Sequence, residues 1–208
     1  AQSRVRASGL WQFMLRTGKI YGLESNSLVE ERFDPVKSTW AAVRYLKELY
    51  GIYKDWNLVL AAYNRGPGNV NKAIHRAGGK RDFWSIYPFL PKETRGYLPI
   101  YIAACYAMNY AQIHGICPDN GIQYPVTDTI YTDQRQHLKQ IAENIDIPIT
   151  LLRRLNPQYP RDIIPGGKHY AICLPIDKAG AYIDNQEAIL AYQAKELIHN
   201  RRDEIELL

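Results

Sequence analysis

Between Asp34 and Gly79 the chain is cut into short helical lengths by residues that start and stop helices. Asp34-Pro35 reads as a helix start, because aspartate suits the N-cap and proline suits the first helical position. Trp40, Val43, Leu46, Leu49 and Tyr50 then recur at helical spacing, and Gly51 reads as the C-cap. Asp55 caps a second helix carrying Leu58, Val59, Ala61 and Ala62. Gly66-Pro67-Gly68 interrupts it, since proline lacks an amide donor and glycine reaches positive φ. A short helix follows from about Asn69 to Ala77, and Gly78-Gly79 ends it. Residues 80–91 read as irregular and aromatic, with Phe83, Trp84, Tyr87 and Phe89. Lys92–Ile113 is apolar nearly all round, which predicts a central buried helix.

The pattern changes after Gly115. Cys117–Pro125 gathers proline, glycine, asparagine and aspartate and reads as a linker. Beyond it, Thr127–Thr132 and His169–Leu174 are strand candidates, and His137–Asn144 and Thr150–Leu155 are short helix candidates. Asn156-Pro157 and Pro165-Gly166-Gly167 supply turns. A polar helix from about Asn185 to Asn200 closes the chain. The expected fold is mainly α: a helical domain over residues 1–116, a linker over 117–126, a small α+β module of strand–helix–helix–strand order over 127–176, and a C-terminal helical tail over 177–208.

Composition limits the function classes. Apolar residues make up 46% of the 208 and charged residues 23%, which fits a packed core. The longest apolar stretch, Tyr97–Met108, contains Pro99 and falls short of the ~18 residues of a membrane span. Residues 1–125 hold 16 Lys+Arg against 9 Asp+Glu, and residues 126–208 hold 10 against 12. A basic first part suits an anionic partner or a merely soluble surface. Basic residues spread along helices carry no nucleic-acid motif, so nucleic acid is the poorest partner reading. Cys105, Cys117 and Cys173 lack metal or disulfide-framework spacing and read as small buried hydrophobes. The five histidines are dispersed, so no metal and no cofactor are implied.

Four blocks carry a resemblance. Ser3-Arg4-Val5-Arg6-Ala7-Ser8-Gly9-Leu10-Trp11-Gln12-Phe13-Met14 resembles the signature of the lytic transglycosylases with a goose-type lysozyme-like (SLT) domain. Ala61-Ala62-Tyr63-Asn64-Arg65-Gly66-Pro67-Gly68 is similar to their Ala-Tyr-Asn-x-Gly block, and Asn69-Val70 continues it. Pro91-Lys92-Glu93-Thr94-Arg95-Gly96-Tyr97 is similar to their Glu-Thr-x-x-Tyr block. Trp11 and Phe83-Trp84 are most similar to the murein transglycosylase D branch. Leu155-Asn156-Pro157 and Ile164-Pro165-Gly166 before a strand resemble a LysM module, the βααβ unit that binds N-acetylglucosamine polymers. Arg135-Gln136-His137 stands where that module usually has Gly-Asp-Thr, so the match is degenerate. Arg6 stands where glycine is usual, Leu15 where proline is usual, and Arg65 where a small residue is common.

The resemblance implies non-hydrolytic cleavage of the MurNAc-β-1,4-GlcNAc bond of peptidoglycan glycan strands, in the periplasm or at the outer membrane. One glutamate transfers both protons, because the C6 hydroxyl of the same sugar is a nucleophile already in place; ordinary glycosidases use two carboxylates. The family's glutamate precedes the serine matching Ser3, so the resemblance puts it just upstream of Ala1 and leaves no catalytic glutamate to name within the chain. A start at that point also implies an uncovered surface and self-association through it. Ser3 and Tyr63 are implied as supports of the acid, and Gln12, Asn64, Glu93 and Tyr97 as substrate-binding residues. Each keeps a plainer reading: a loop serine, a surface glutamine, core tyrosines, a turn asparagine and a first-turn glutamate. A catalytically inactive glycan-binding or scaffold protein is the alternative function.

Overall fold

The computed structural model describes residue 3, residues 6–117 and residues 124–198. The linker expected over 117–126 and the last part of the expected C-terminal helix fall largely outside them. In chain order the helices of the first part are α1 (Leu15–Ile20), α2 (Pro35–Tyr53), α3 (Trp56–Arg65), α4 (Pro67–Arg76), α5 (Phe83–Ile86) and α6 (Lys92–Asn109). The later elements are β1 (Thr127–Thr132), β2 (Gln136–His137), α7 (Leu138–Asn144), α8 (Ile149–Leu155), β3 (Ile163–Ile164), β4 (Tyr170–Pro175), α9 (Ile176–Asp184), α10 (Gln186–Ala191) and α11 (Ala194–Leu197). The fold is mainly α with a small α+β module. No helix among the described residues is long and apolar enough to cross a membrane.

The helix starts follow local chemistry. Asp34 Oδ1 accepts from the amides of Val36 and Lys37, each at 2.9 Å, and Asp55 Oδ1 accepts from Leu58 N at 2.9 Å. Three boundaries differ from the sequence expectation. α2 runs through Gly51 and ends only where Lys54 takes positive φ. α4 begins at Pro67, because the first helical position needs no donor. Residues 80–91 hold α5, capped by Asp82 through Ser85 N, and a 3-10 turn over Tyr87–Phe89.

The chain packs as two compact units, Ala1–Ala42 with Gln123–Leu208, and Val43–Ile122. The sequence had grouped residues 1–116 together; the packing instead groups the first 42 residues with the α+β module. Leu28 and Val29, both fully buried, share a core with Leu138, Ile141, Leu152, Ile164 and Ile172. The expected tail also belongs to that core. Tyr182 and Ile189 lie within it, and Tyr182 Oη accepts from Gln136 Nε2 at 2.9 Å. The single helix expected over 185–200 is broken into shorter pieces, α10 and α11 following α9.

Within this unit β1 pairs antiparallel with β4, from Thr127 opposite Pro175 to Thr132 opposite Tyr170. α7 and α8 lie between β1 and β4 in sequence, which is the expected strand–helix–helix–strand order, and a second short pair not expected from the sequence, β2 with β3, flanks the two helices. His137 caps α7: its Nδ1 accepts from Lys139 N at 3.0 Å, and Gln140 Oε1 accepts from His137 N at 2.7 Å. Burial pushes the imidazole below its usual 6.5, Arg153 and Lys139 add to this, and Asp162 opposes it. A depressed histidine makes the neutral form a native-state property. The stability it contributes is present above pH 6.5 and is lost as pH falls through the lower folded value. Thermal melts of the unmodified protein from pH 7.5 to 5 are expected to show this loss, and His137→Asn to flatten it; an equal slope in both proteins would contradict the assignment.

In the second unit Leu49, Leu58, Val59, Ala61, Ala62, Val70, Phe83, Ile86 and Leu98 form the core. The central buried helix expected over 92–113 is corrected here. α6 ends at Asn109, and within it only Thr94 and Leu98 are buried. Ile100, Tyr101, Ile102, Tyr106 and Met108 are exposed. α3 covers the first turns of α6, and apolar composition states a need for cover without supplying the element that provides it. The cysteines are corrected too, since Cys117 is exposed and Cys105 and Cys173 are only half-buried.

Candidate functional site

The first group of candidate residues sits on a tight turn in the first unit. Ser8 and Phe13 face each other across an antiparallel bridge, with Ser8 N donating to Phe13 O at 3.1 Å. The four residues between them reverse the chain. Gly9 has φ +83°, and a Cβ there would lie 1.7 Å from the carbonyl oxygen of Arg32. Gln12 also has positive φ, and its Nε2 donates to Gly9 O at 2.7 Å, closing the turn. Trp11 Nε1 donates to Thr39 Oγ1 at 2.8 Å, and Leu10 is exposed. Ser3 Oγ accepts from Ala7 N at 3.0 Å, so its hydroxyl shapes the approach to the turn.

A buried ion pair holds this turn from behind. Arg32 donates to Glu30 through Nε at 2.8 Å and through Nη2 at 2.6 Å, and both residues are buried. Arg32 Nη1 also donates to Arg6 O and to Phe13 O, each at 3.0 Å. One guanidinium therefore ties both ends of the turn. Arg6, where the family pattern has glycine, takes φ +63°, a left-handed conformation costing ~1 kcal/mol or more in a residue with a side chain; the bond from Arg32 to its carbonyl offsets this. Burial pushes the Glu30 carboxyl up, but hydrogen bonds from Arg32 and Ser25 and the charge of Arg32 outweigh it and hold Glu30 below its usual value. Glu30 is an anion near neutral pH and not a proton donor.

Glu30 and Arg32 were not singled out in the sequence, because charged neighbours along a chain do not show that they will be buried together. The usable signal was their i, i+2 spacing on a non-helical segment, which puts two side chains on one side.

The second group lies in the helical unit. Tyr63 on α3 packs its ring on Tyr45 of α2 at 5.4 Å between centroids. Burial pushes the Tyr63 phenol up, and Tyr97 and Tyr45 beside it push it further; burial also raises Tyr97. Both are therefore neutral hydrogen-bonding phenols. Asn64 Oδ1 accepts from Thr94 Oγ1 at 2.8 Å, joining α3 to α6. Thr94 is fully buried, while Glu93 beside it is exposed on the first turn of α6. The structure thus brings Tyr63 and Tyr97 together and sets Asn64 beside the Glu93-Thr94 pair. Tyr45 and Thr94 were not singled out by the sequence, although Thr94 is part of the quoted block. Thr94→Val is expected to cost ~1 kcal/mol, the net value of one such hydrogen bond, read by denaturant unfolding; no change would mean that water serves Asn64 equally well.

A separate cleft of about 330 Å³ in the first unit is lined by Gly22, Glu24, Glu31, Lys37, Lys168, His169 and Tyr170. Its charges are paired within it, Glu24 with Lys168 at 2.6 Å and Glu31 with Lys37.

Residues 1–85 match the family model described as Transglycosylase SLT domain, and residues 126–191 match the one described as Lytic transglycosylase MltD, LysM-like domain. The chain is 34% identical over 166 residues to "Membrane-bound lytic murein transglycosylase D" of Escherichia coli (strain K12), covering 75% of this chain and 35% of that protein. The protein of the same name in Escherichia coli O6:H1 (strain CFT073) matches with the same identity and coverage. The chain thus spans about a third of the length of the curated relatives it matches. By these matches residues 1–85 are similar to transglycosylase SLT domains, and residues 126–191 to the LysM-like domain of lytic transglycosylase MltD.

Proposed function

We propose that the protein is a peptidoglycan lytic transglycosylase of the bacterial envelope, cleaving the MurNAc-β-1,4-GlcNAc bond and leaving 1,6-anhydro-MurNAc ends. The observation that carries the reading is the turn at Gly9–Gln12, closed so tightly against Arg32 O that only glycine fits at position 9. The most distinctive block of the SLT resemblance is thereby a formed structure rather than a chance string. Its exposed residues are offered as glycan contacts: Gln12 through its amide, with Ser3 shaping the approach.

On the helical unit, Tyr63 and Tyr97 are neutral phenols that can donate to sugar oxygens without losing a proton near neutral pH. Asn64 is held by Thr94, so its amide is oriented before any ligand arrives, and Glu93 offers an exposed carboxylate to sugar hydroxyls. In the reaction the leaving oxygen must gain a proton and the C6 hydroxyl must lose one. A single carboxyl can serve both steps when kept protonated in a low-dielectric setting. Glu30 cannot be that group, because Arg32 keeps it ionised. The residues named here bind and orient glycan; none is assigned the proton transfer.

The test is digestion of purified peptidoglycan sacculi followed by mass spectrometry of the released fragments. Anhydro ends are the expected result. Reducing ends would replace the proposal with hydrolysis, and protein that sediments with intact sacculi without releasing fragments would replace it with a glycan-binding or scaffold role.

A further inference from the structure

The segment behind the signature turn is anchored in the other family's module. Leu28 and Val29 are fully buried in the core built by α7, α8, β3 and β4. Their own amides both donate to Asn26 Oδ1, at 2.8 and 2.7 Å, which fixes the segment as it enters that core. Glu30 N then donates to Gln158 O at 2.8 Å. On the near side, Tyr170 Oη donates to Glu24 Oε1 at 3.2 Å and Lys168 Nζ pairs with Glu24 Oε2 at 2.6 Å. Two residues beyond the core contact, Arg32 ties the carbonyls of Arg6 and Phe13 and sets its own carbonyl against Gly9.

We infer that the LysM-like module is the brace that sets the signature turn. The five residues from Leu28 to Arg32 form one short, fully bonded path. One end is module core, the other is the guanidinium that closes the turn. The segment has no helix or sheet of its own to stiffen it apart from the isolated bridge between Ser25 and Glu30. Its geometry is therefore imposed by what it is buried in. When the module core opens, Leu28 and Val29 lose their seat, Glu30 loses Gln158, and Arg32 no longer has a fixed position from which to hold Arg6 and Phe13. This inference rests on reading the turn as the glycan-facing signature, but it concerns only how that turn is held.

Hydrogen exchange on the whole chain tests it without any activity readout, so failure of the transglycosylase reading and failure of the brace are separately visible. The reporters are Ser8 N, bonded to Phe13 O, and Leu23 N, bonded to Gly18 O. Leu152→Ala opens the module core at a fully buried position of α8, about 140 residues along the chain from the turn. It is expected to raise exchange at both reporters at least tenfold. Leu152→Met, of similar volume, is expected to restore protection, and Leu58→Ala in the core of the other unit to leave the reporters unchanged. Reporters that stay protected in Leu152→Ala would overturn the brace, even if the module is wholly unfolded in that variant. A rise of equal size in Leu58→Ala would overturn it as well.

Discussion

Glu30→Gln is expected to destabilise the first unit by ~3–5 kcal/mol, the usual cost of removing one partner of a buried ion pair. The guanidinium of Arg32 would stay buried with its charge unopposed, still needed by Arg6 O and Phe13 O. The side chains of Arg32 and Glu30 are only 5% and 10% exposed, so water can do little to compensate. Denaturant unfolding followed by Trp11 emission would measure the loss. Glu30→Met combined with Arg32→Met should recover part of it, since no charge then remains, but not all, because the two carbonyls lose their donor. The pH dependence follows from the same pair. The Glu30 carboxyl is lower in the folded protein than its ordinary 4.5, so its contribution is complete above pH 4.5 and is lost as pH falls through the folded value. A loss under 1 kcal/mol in Glu30→Gln would show that the pair is solvated in solution.

Gly9→Ala is the second large effect, ~2–5 kcal/mol or a displaced turn. Two costs add. A residue with a side chain at φ +83° pays ~1–2 kcal/mol in the left-handed region, and the new Cβ meets a backbone carbonyl oxygen at 1.7 Å, an overpacking of the kind that costs ~1–3 kcal/mol. Gly79 isolates the first cost. Its φ of +85° is nearly the same, but a Cβ there would meet nothing within 4 Å, so Gly79→Ala should cost only ~1–2 kcal/mol. Equal losses in the two variants would mean that the turn yields easily and that Arg32 does not confine it. If Gly9→Ala moves the turn, the indole N–H of Trp11 should leave Thr39, which an NMR spectrum of the indole protons would reveal.

These two variants probe contacts that could not be read along the chain. The turn itself was legible as a block of residues, and so was the glycine within it. Its backing was not. Glu30 and Arg32 were not singled out, because a sequence shows that residues are charged and not that they face each other under cover. Tyr63, Asn64, Glu93 and Tyr97 were legible as blocks, yet the Tyr45 ring against Tyr63 and the Thr94 hydroxyl on Asn64 came only with the packing of α2, α3 and α6. Ser3 and Gln12 show the opposite case. Ser3 was singled out as a support of the acid and Gln12 as a substrate-binding residue, and their side chains make bonds to the backbone at and beside the turn.

The sequence by itself determined what is local. Aspartate caps at 34 and 55 act on amides two or three residues away, so each is complete within a few positions. Tertiary structure alone decided which apolar surfaces find cover. Lys92–Asn109 carries a long run of apolar residues and stays largely exposed, whereas Leu28 and Val29, two residues in a polar stretch, end in the core of a module that begins about a hundred positions later. The physical reason is that burial depends on partners brought together by the whole chain. The bond from Tyr170 to Glu24 spans 146 positions, a distance over which no periodicity carries information.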